Sequence, residues 1–464
     1  MELKHTFKSA WDAMDESEIK KCYTFADGYK QFLDFSKTER ESAREIVRLA
    51  ETAGYESIEP YIEGVKMLKK GTKVYAVNRD KAVLLFNIGE NPIKNGIHIV
   101  GAHIDAPRLD LKPFPLYEDA DMAFLKTHYY GGIKKYQWTT TPLALHGVIY
   151  TKDGEKKEVV IGEADEDPVF AITDLLIHLA KDQQAKTLAE GVNGEQLNVL
   201  IGNRGIEDKD AKDRIKANML KLLNEKYGIT EQDFVTAEFE VVPAGKARDM
   251  GLDRSMISAY AHDDRVCSYA GVQAMLALGE VETTACGMFM DKEEVGSQGN
   301  TGSESRYFEN MLAELILLQE GQYNDLYLRR ALSKTKVLSG DVGAAFDPNY
   351  AASYDKSNSA MMGKGIQLVK YTGSRGKSSC NDANAEFLSE VARLFDASEV
   401  VWQIGELGKV DQGGGGTIAY ILANANAEVV DCGVPVISMH APYEVISKAD
   451  LYMAYKAYHA FLNR

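Results

Sequence analysis

Five segments of the chain place His, Asp or Glu directly behind an apolar run. They are Ile99-Val100-Gly101-Ala102-His103-Ile104-Asp105, Ala259-Tyr260-Ala261-His262-Asp263-Asp264, Met288-Phe289-Met290-Asp291-Lys292-Glu293-Glu294, Val337-Leu338-Ser339-Gly340-Asp341 and Val436-Ile437-Ser438-Met439-His440. Two histidines with several carboxylates form a mixed nitrogen and oxygen donor set, suited to zinc, manganese or cobalt. A carboxylate shared by two cations offsets their mutual repulsion. Glu293 and Glu294 are adjacent, so at a turn they point in different directions. One can bind metal while the other stays available as a base. His103 and Asp105 share a strand face, which lets the carboxylate orient the imidazole through its far nitrogen. Singly, each segment has a bland alternative: a strand-end pair, an N-cap at Asp263-Asp264, a solvated turn, or a buried, hydrogen-bonded His440. Five apolar runs ending in ligand-type residues point instead to one metal site.

Such a site needs elements to position it. Open α/β sheets bind ligands outside the carboxyl ends of their strands, and the pattern of apolar runs alternating with amphipathic stretches is α/β. Ile97 to Val100 reads as a strand. Helices are expected over Glu41 to Ala53, Arg265 to Leu278, Ser305 to Leu318, Ala383 to Phe395 and Ser447 to Leu462. Ser447 and Asp450 resemble a capping box for the last of these. The middle differs. Leu143 to Tyr150 and Glu158 to Gly162 flank Asp153-Gly154, a hairpin signal. Phe170 to Ala180 reads as a helix, and Phe234 to Val242 alternates like a strand. Residues 110–250 therefore read as an α+β insertion between catalytic halves at 1–109 and 251–464.

Composition excludes several classes. The 464 residues are 45% hydrophobic and 26% charged, which is ordinary globular composition. With 53 basic and 69 acidic side chains, the net charge is −16. That disfavours a nucleic-acid partner, which is bound by clustered Lys and Arg. No apolar run is long enough to span a membrane. Met1-Glu2-Leu3-Lys4-His5 lacks the apolar core of a signal peptide, so a cytoplasmic location is expected. Five scattered cysteines read as reduced thiols. There is no H-E-x-x-H, no phosphate loop and no G-x-S-x-G elbow.

The order Gly-Ala-His103-Ile-Asp105-Ala-Pro, Asp263-Asp264-Arg, Glu293-Glu294-Val-Gly-Ser, Ser-Gly-Asp341, Ser-Met-His440 resembles the aspartyl aminopeptidase / aminopeptidase I family of co-catalytic zinc metallopeptidases. Tyr130-Gly131-Gly132-Ile133 with Trp138, and Gly413-Gly414-Gly415-Gly416-Thr417-Ile418, resemble two further stretches of that family. The chain departs from it at Thr140-Thr141 and over residues 371–377. The resemblance implies a mixed-sheet catalytic domain with helices on both faces, interrupted by a smaller domain for dimer contacts. It implies two divalent ions, zinc foremost and manganese or cobalt as alternatives. His103 and Asp341 would hold one, Glu294 and His440 the other, and Asp263 both, with a cis peptide bond after Asp263. Glu293 would be the general base, and Asp105 would orient His103. Substrates would be short peptides with a free N-terminus, with acidic N-terminal residues a candidate preference. Lys370 and Arg375, with Lys377 beside them, are candidates for an acidic side chain's partner. His178, a further substrate-binding candidate, sits in a segment resembling the insertion helix that in relatives reaches the neighbouring subunit's active site, and assembly would be a homo-oligomer, a dodecamer by resemblance. Two other classes share the ligand set: a two-metal carboxypeptidase or amide deacylase, and a non-catalytic metal-bound assembly protein.

Overall fold

The apolar runs that lead to the candidate residues become strands of two sheets. A computed structural model describes residues 3–464; Met1 and Glu2 of the N-terminal pentapeptide lie outside the described residues. The chain divides into two compact units. The first comprises the residues up to Asp105 with Ala247–Met439 and Glu444–Arg464, and the second Ala106–Lys246 with His440–Tyr443.

The first unit is built on a nine-stranded mixed sheet. Its centre is parallel: Ala285–Met290, His98–His103, Lys336–Ser339 and Glu428–Gly433 lie side by side in that order. Ala82–Asn87 and Ile366–Val369 flank this block antiparallel. The central strands are apolar on both faces, and every residue of Ala82–Asn87 and Ala285–Met290 is buried. That is the pattern of strands covered on two sides. Alternation assigns the faces. Val83, Leu85 and Val100 enter one core with the helices Glu39–Thr52, His262–Ala277, Ala385–Ala397 and Lys448–Leu462. Leu84, Phe86 and Ile99 enter another with Tyr307–Glu320 and Asp325–Lys334. A second, five-stranded sheet joins Arg248–Met250, Met256–Ala259, Glu444–Ser447, Pro435–Ile437 and Gly343–Ala344. The fold is mixed α/β, as the sequence pattern implies.

The second unit is a seven-stranded antiparallel sheet with the helix Arg214–Tyr227. The hairpin at Asp153-Gly154 forms, with Leu143–Tyr150 pairing Lys156–Ile161 and Gly154 in the left-handed region at φ 81°. Glycine takes that conformation without steric cost.

Three local expectations need correction. Phe170 to Ala180 is not a helix: it holds the short strand Ala171–Ile172 and a single 3-10 turn, Ile177–Leu179. Leu175, Leu176, Ile177 and Leu179 are all exposed, so no core-facing apolar stripe supports a helix there. Phe234 belongs to the 3-10 turn Glu231–Thr236, and the strand is Glu238–Pro243. Ser447 precedes the helix Lys448–Leu462 but makes no side-chain cap bond.

Asp450 does something other than complete that box. Fully buried, it accepts the Gly363 N–H on Oδ2 and the Gly365 N–H on Oδ1, each at 2.7 Å. Burial pushes its carboxyl up to about 7, although the two backbone bonds pull the other way. An unfolded aspartate titrates near ~3.9. Between these values the folded protein keeps a proton that the unfolded chain has lost. This group's contribution is therefore full at acid pH and is lost as pH rises through about 7. Asp450→Asn is expected to make the fall in melting temperature between about pH 4 and pH 7 shallower. An unchanged slope would mean that other buried carboxyls carry it.

Candidate metal centre

Four candidates arise at the carboxyl ends of three central strands of the nine-stranded sheet. His103 ends its strand in register with Met290, and Ser339 lies in register with Gly101. The chain continues past Met290 to Glu293 and Glu294, and past Ser339 to Asp341. Asp263 comes from the other sheet, four residues beyond Met256–Ala259. The centre is thus drawn from two sheets.

His103 is the hub. Its Nε2 lies 3.2 Å from Asp263 Oδ1, 3.8 Å from Asp341 Oδ1 and 3.9 Å from Glu293 Oε2. Its Nδ1 lies 3.2 Å from Asp105 Oδ1. His103, Asp263 and Asp341 are all buried, and one ligating atom from each falls within 4.8 Å of the others. Asp105 is fully buried and also organises the next segment: Oδ1 accepts the Glu293 N–H at 3.1 Å and Oδ2 the Glu294 N–H at 3.2 Å. One carboxylate thereby sets both an imidazole and the turn bearing two glutamates. That turn, Glu293–Val295, is bounded by Lys292 and Gly296, both in the left-handed region.

The electrostatics favour a cation. Burial, then the neighbouring Glu293, drives the Asp341 carboxyl well above its ordinary range. Burial works against a charged His103, yet hydrogen bonds to Asp105 and Asp263 hold its pKa well above the usual value. Like charges packed in low dielectric destabilise each other, and bound cations reverse that logic. The donor chemistry, one imidazole and two carboxylates, fits a zinc-type ion.

The peptide bond between Asp263 and Asp264 is cis. Asp264 does not act as a plain cap: its Oδ2 accepts the His103 N–H at 3.3 Å. Ser268 donates to the His103 carbonyl at 2.7 Å and the Arg265 Nε to the Ile104 carbonyl at 3.2 Å. The helix start thus grips the strand end that carries His103. Glu444, buried in its strand, accepts the Asp263 N–H at 2.9 Å. No local motif singles out Glu444 or Ser268; only the fold brings them to the centre.

The remaining candidates lie on other elements. His440 follows Pro435–Ile437 by three residues and is grouped with the second unit. There its Nδ1 donates to the Gly132 carbonyl at 2.8 Å, which presents Nε2 as the basic nitrogen. This gives the Tyr130-Gly-Gly segment a role that its composition does not disclose. His178 sits in the exposed 3-10 turn Ile177–Leu179. Lys370 donates to Asp382 Oδ1 at 2.6 Å and Lys377 to Asp382 Oδ2 at 2.9 Å. Arg375 is an exposed residue of the same loop, in the left-handed region at φ 40°. Among the described residues, no helix is long and apolar enough to cross a membrane.

Comparison with known proteins places this geometry. The family model for the aminopeptidase I zinc metalloprotease (M18) matches residues 32–462. A probable M18 family aminopeptidase 1 of Clostridium acetobutylicum is 53% identical over 462 residues, covering 100% of this chain and 99% of that one. The crystal structure of aminopeptidase I from that organism superposes with a TM-score of 0.93 at 50% identity, covering all of both chains. The M18-family aminopeptidase of Thermotoga maritima gives a TM-score of 0.94 at 43% identity, over 99% of this chain and 100% of that one.

Proposed function

We propose, for a chain that belongs to the aminopeptidase I zinc metalloprotease (M18) family, a two-metal aminopeptidase that releases single N-terminal residues from short peptides. The observation that carries the reading is the buried trio His103, Asp263 and Asp341, with Glu293 beside it. His103 and Asp341 would hold one ion, Glu294 and His440 the other, and Asp263 would be shared. Bound divalent cations would lower the pKa of water and polarise the scissile carbonyl.

The chain's own groups do the rest. Asp105 fixes the His103 ring and the turn that presents both glutamates. Glu293 accepts a proton from the attacking water on its carboxylate and delivers it to the leaving amine. Its side chain is only 16% exposed, enough for a water to reach it while bulk solvent is largely excluded. The substrate's free amine is a cation and suits the excess of carboxylates here, which restricts cleavage to the amino end.

An acidic N-terminal residue is the substrate preference we assign to Lys370 and Arg375. The Lys370 pairing with Asp382 means that an incoming carboxylate must compete with that aspartate. The two sequence halves flanking residues 110–250 form the catalytic part in this reading, and the insertion mediates assembly. A yeast relative that shares the fold at 19% identity is described as a dodecamer, and a homo-oligomer of that kind is the assembly we propose.

The test is a panel of free N-terminal residue anilides and short peptides, including Asp, Glu and Leu, with N-acetylated counterparts. Single-residue release from free termini only, lost with chelator and restored by zinc, is expected. Cleavage of acetylated substrates instead would replace the aminopeptidase reading with a deacylase or carboxypeptidase. Leu ahead of Asp and Glu would remove the acidic preference alone.

A further inference from the structure

The turn that presents Asp263 has an unusual backbone. Ala261 is left-handed at φ 64°, and Asp263 and Asp264 depart from helical angles at the head of His262–Ala277. A non-glycine residue in that region costs roughly 1–2 kcal/mol. Such a turn persists where its surroundings over-determine it. Here the surroundings are specific. His262 is fully buried, and its Nε2 lies 3.1 Å from the Ile257 carbonyl, on the strand that feeds the turn. A carbonyl only accepts, so Nε2 carries the proton and Nδ1 is the acceptor. Tyr29, also fully buried, meets that Nδ1 with its hydroxyl at 2.8 Å. The two rings stack, with centroids 5.6 Å apart and planes 29° from parallel.

Tyr29 is distant in sequence and lies on the helix Glu16–Phe35. The close approach of that helix depends on its neighbour: a Cβ at Gly28 would come 2.5 Å from the Tyr269 hydroxyl. Only glycine leaves room there. The family match begins at residue 32, so Tyr29 precedes it.

We propose that Tyr29 is a positioning residue for the metal centre: its hydroxyl locks the His262 tautomer and ring, and His262 with Glu444 fixes the turn that aims Asp263. The inference rests on the reading of Asp263 as a metal ligand. Tyr29 touches no substrate and acts only through His262. Groups hydrogen-bonded directly to a ligand are worth about 10–100-fold in metal binding, and Tyr29 acts one step further out, so the low end of that range is expected.

The experiment uses the full chain and removes one atom, by Tyr29→Phe. Zinc affinity is read by competition with a chromophoric chelator, together with kcat, KM and melting temperature with and without zinc. Expected are about tenfold weaker zinc binding, a fall in kcat with KM little changed, and a smaller zinc-induced rise in melting temperature. In a His262→Ala background the same substitution should have no further effect on zinc affinity, since coupled residues are non-additive. Equal loss of melting temperature with and without zinc, at unchanged affinity and kcat, would reduce Tyr29 to packing. A full effect persisting in the His262→Ala background would also overturn the proposal. Asp263→Asn is the control. If that variant kept wild-type zinc affinity, the ligand reading would fall and the inference with it; if it lost affinity while Tyr29→Phe did not, the inference alone would fail.

Discussion

Glu293→Gln is expected to lower kcat by about 10²–10⁴-fold, the usual worth of a positioned general base, while the protein keeps its full metal content. The amide has the shape of the acid but cannot take a proton from water. The substitution should leave the turn in place, because Glu293 is held through its backbone N–H on Asp105, at 3.1 Å, and not through its carboxylate there. KM should change little, since the interaction lost is one made in the transition state. Glu294→Gln should behave in the opposite way, losing metal first and activity as a consequence. Metal analysis and steady-state kinetics on the two variants separate the roles. A Glu293→Gln enzyme near the wild-type rate would mean that the base lies elsewhere. A Glu293→Gln enzyme that had lost metal would exchange the assignments of the two glutamates.

That the adjacent glutamates can be distinguished at all is a property of the fold, and here sequence and structure contribute differently. The apolar runs before His103, Glu293 and Asp341 are legible because strands buried on both faces must be apolar throughout. Residues at their carboxyl ends then emerge at one end of the sheet. The helices Tyr307–Glu320 and Ala385–Ala397 are legible for the same reason: their apolar spacing matches the turn of a helix. Phe170 to Ala180 carries a similar apolar content, but its Leu175, Leu176, Ile177 and Leu179 are exposed, and periodicity alone does not say which apolar residues a fold will cover. Asp450 has the spacing of a cap residue, yet it binds Gly363 and Gly365. Its partners are remote in sequence, and no local rule reports them. Tyr29, Ser268 and Glu444 are hidden for that reason too. Each makes a hydrogen bond to a backbone or ring atom far along the chain, and such bonds leave no spacing to read.

Asp263→Asn should abolish most activity and most zinc binding, and it carries a sign that a purely structural defect would not reproduce. In the metal-free protein Asp263 is one of several acids packed around His103, its Oδ1 3.2 Å from His103 Nε2. Removing its charge relieves repulsion with Asp341 and Asp264, whose carboxyls burial already holds well above their ordinary range. It also weakens the pair with His103, so the two effects oppose each other. The metal-free variant is therefore expected to melt close to the metal-free wild type. With zinc the two should diverge. A ligand at about a thousandfold above its dissociation constant stabilises the folded state by about 4 kcal/mol, and the wild type should show a rise of that order. The variant should show little or none, because the residue proposed to serve both ions has lost its charge. Thermal unfolding of both proteins, each with chelator and with excess zinc, gives all four values. If the variant melted far below the wild type already in chelator, Asp263 would be a structural residue of the turn. If zinc raised both proteins equally, His103 and Asp341 would suffice for the metal without it, and the shared-ligand arrangement would have to be abandoned.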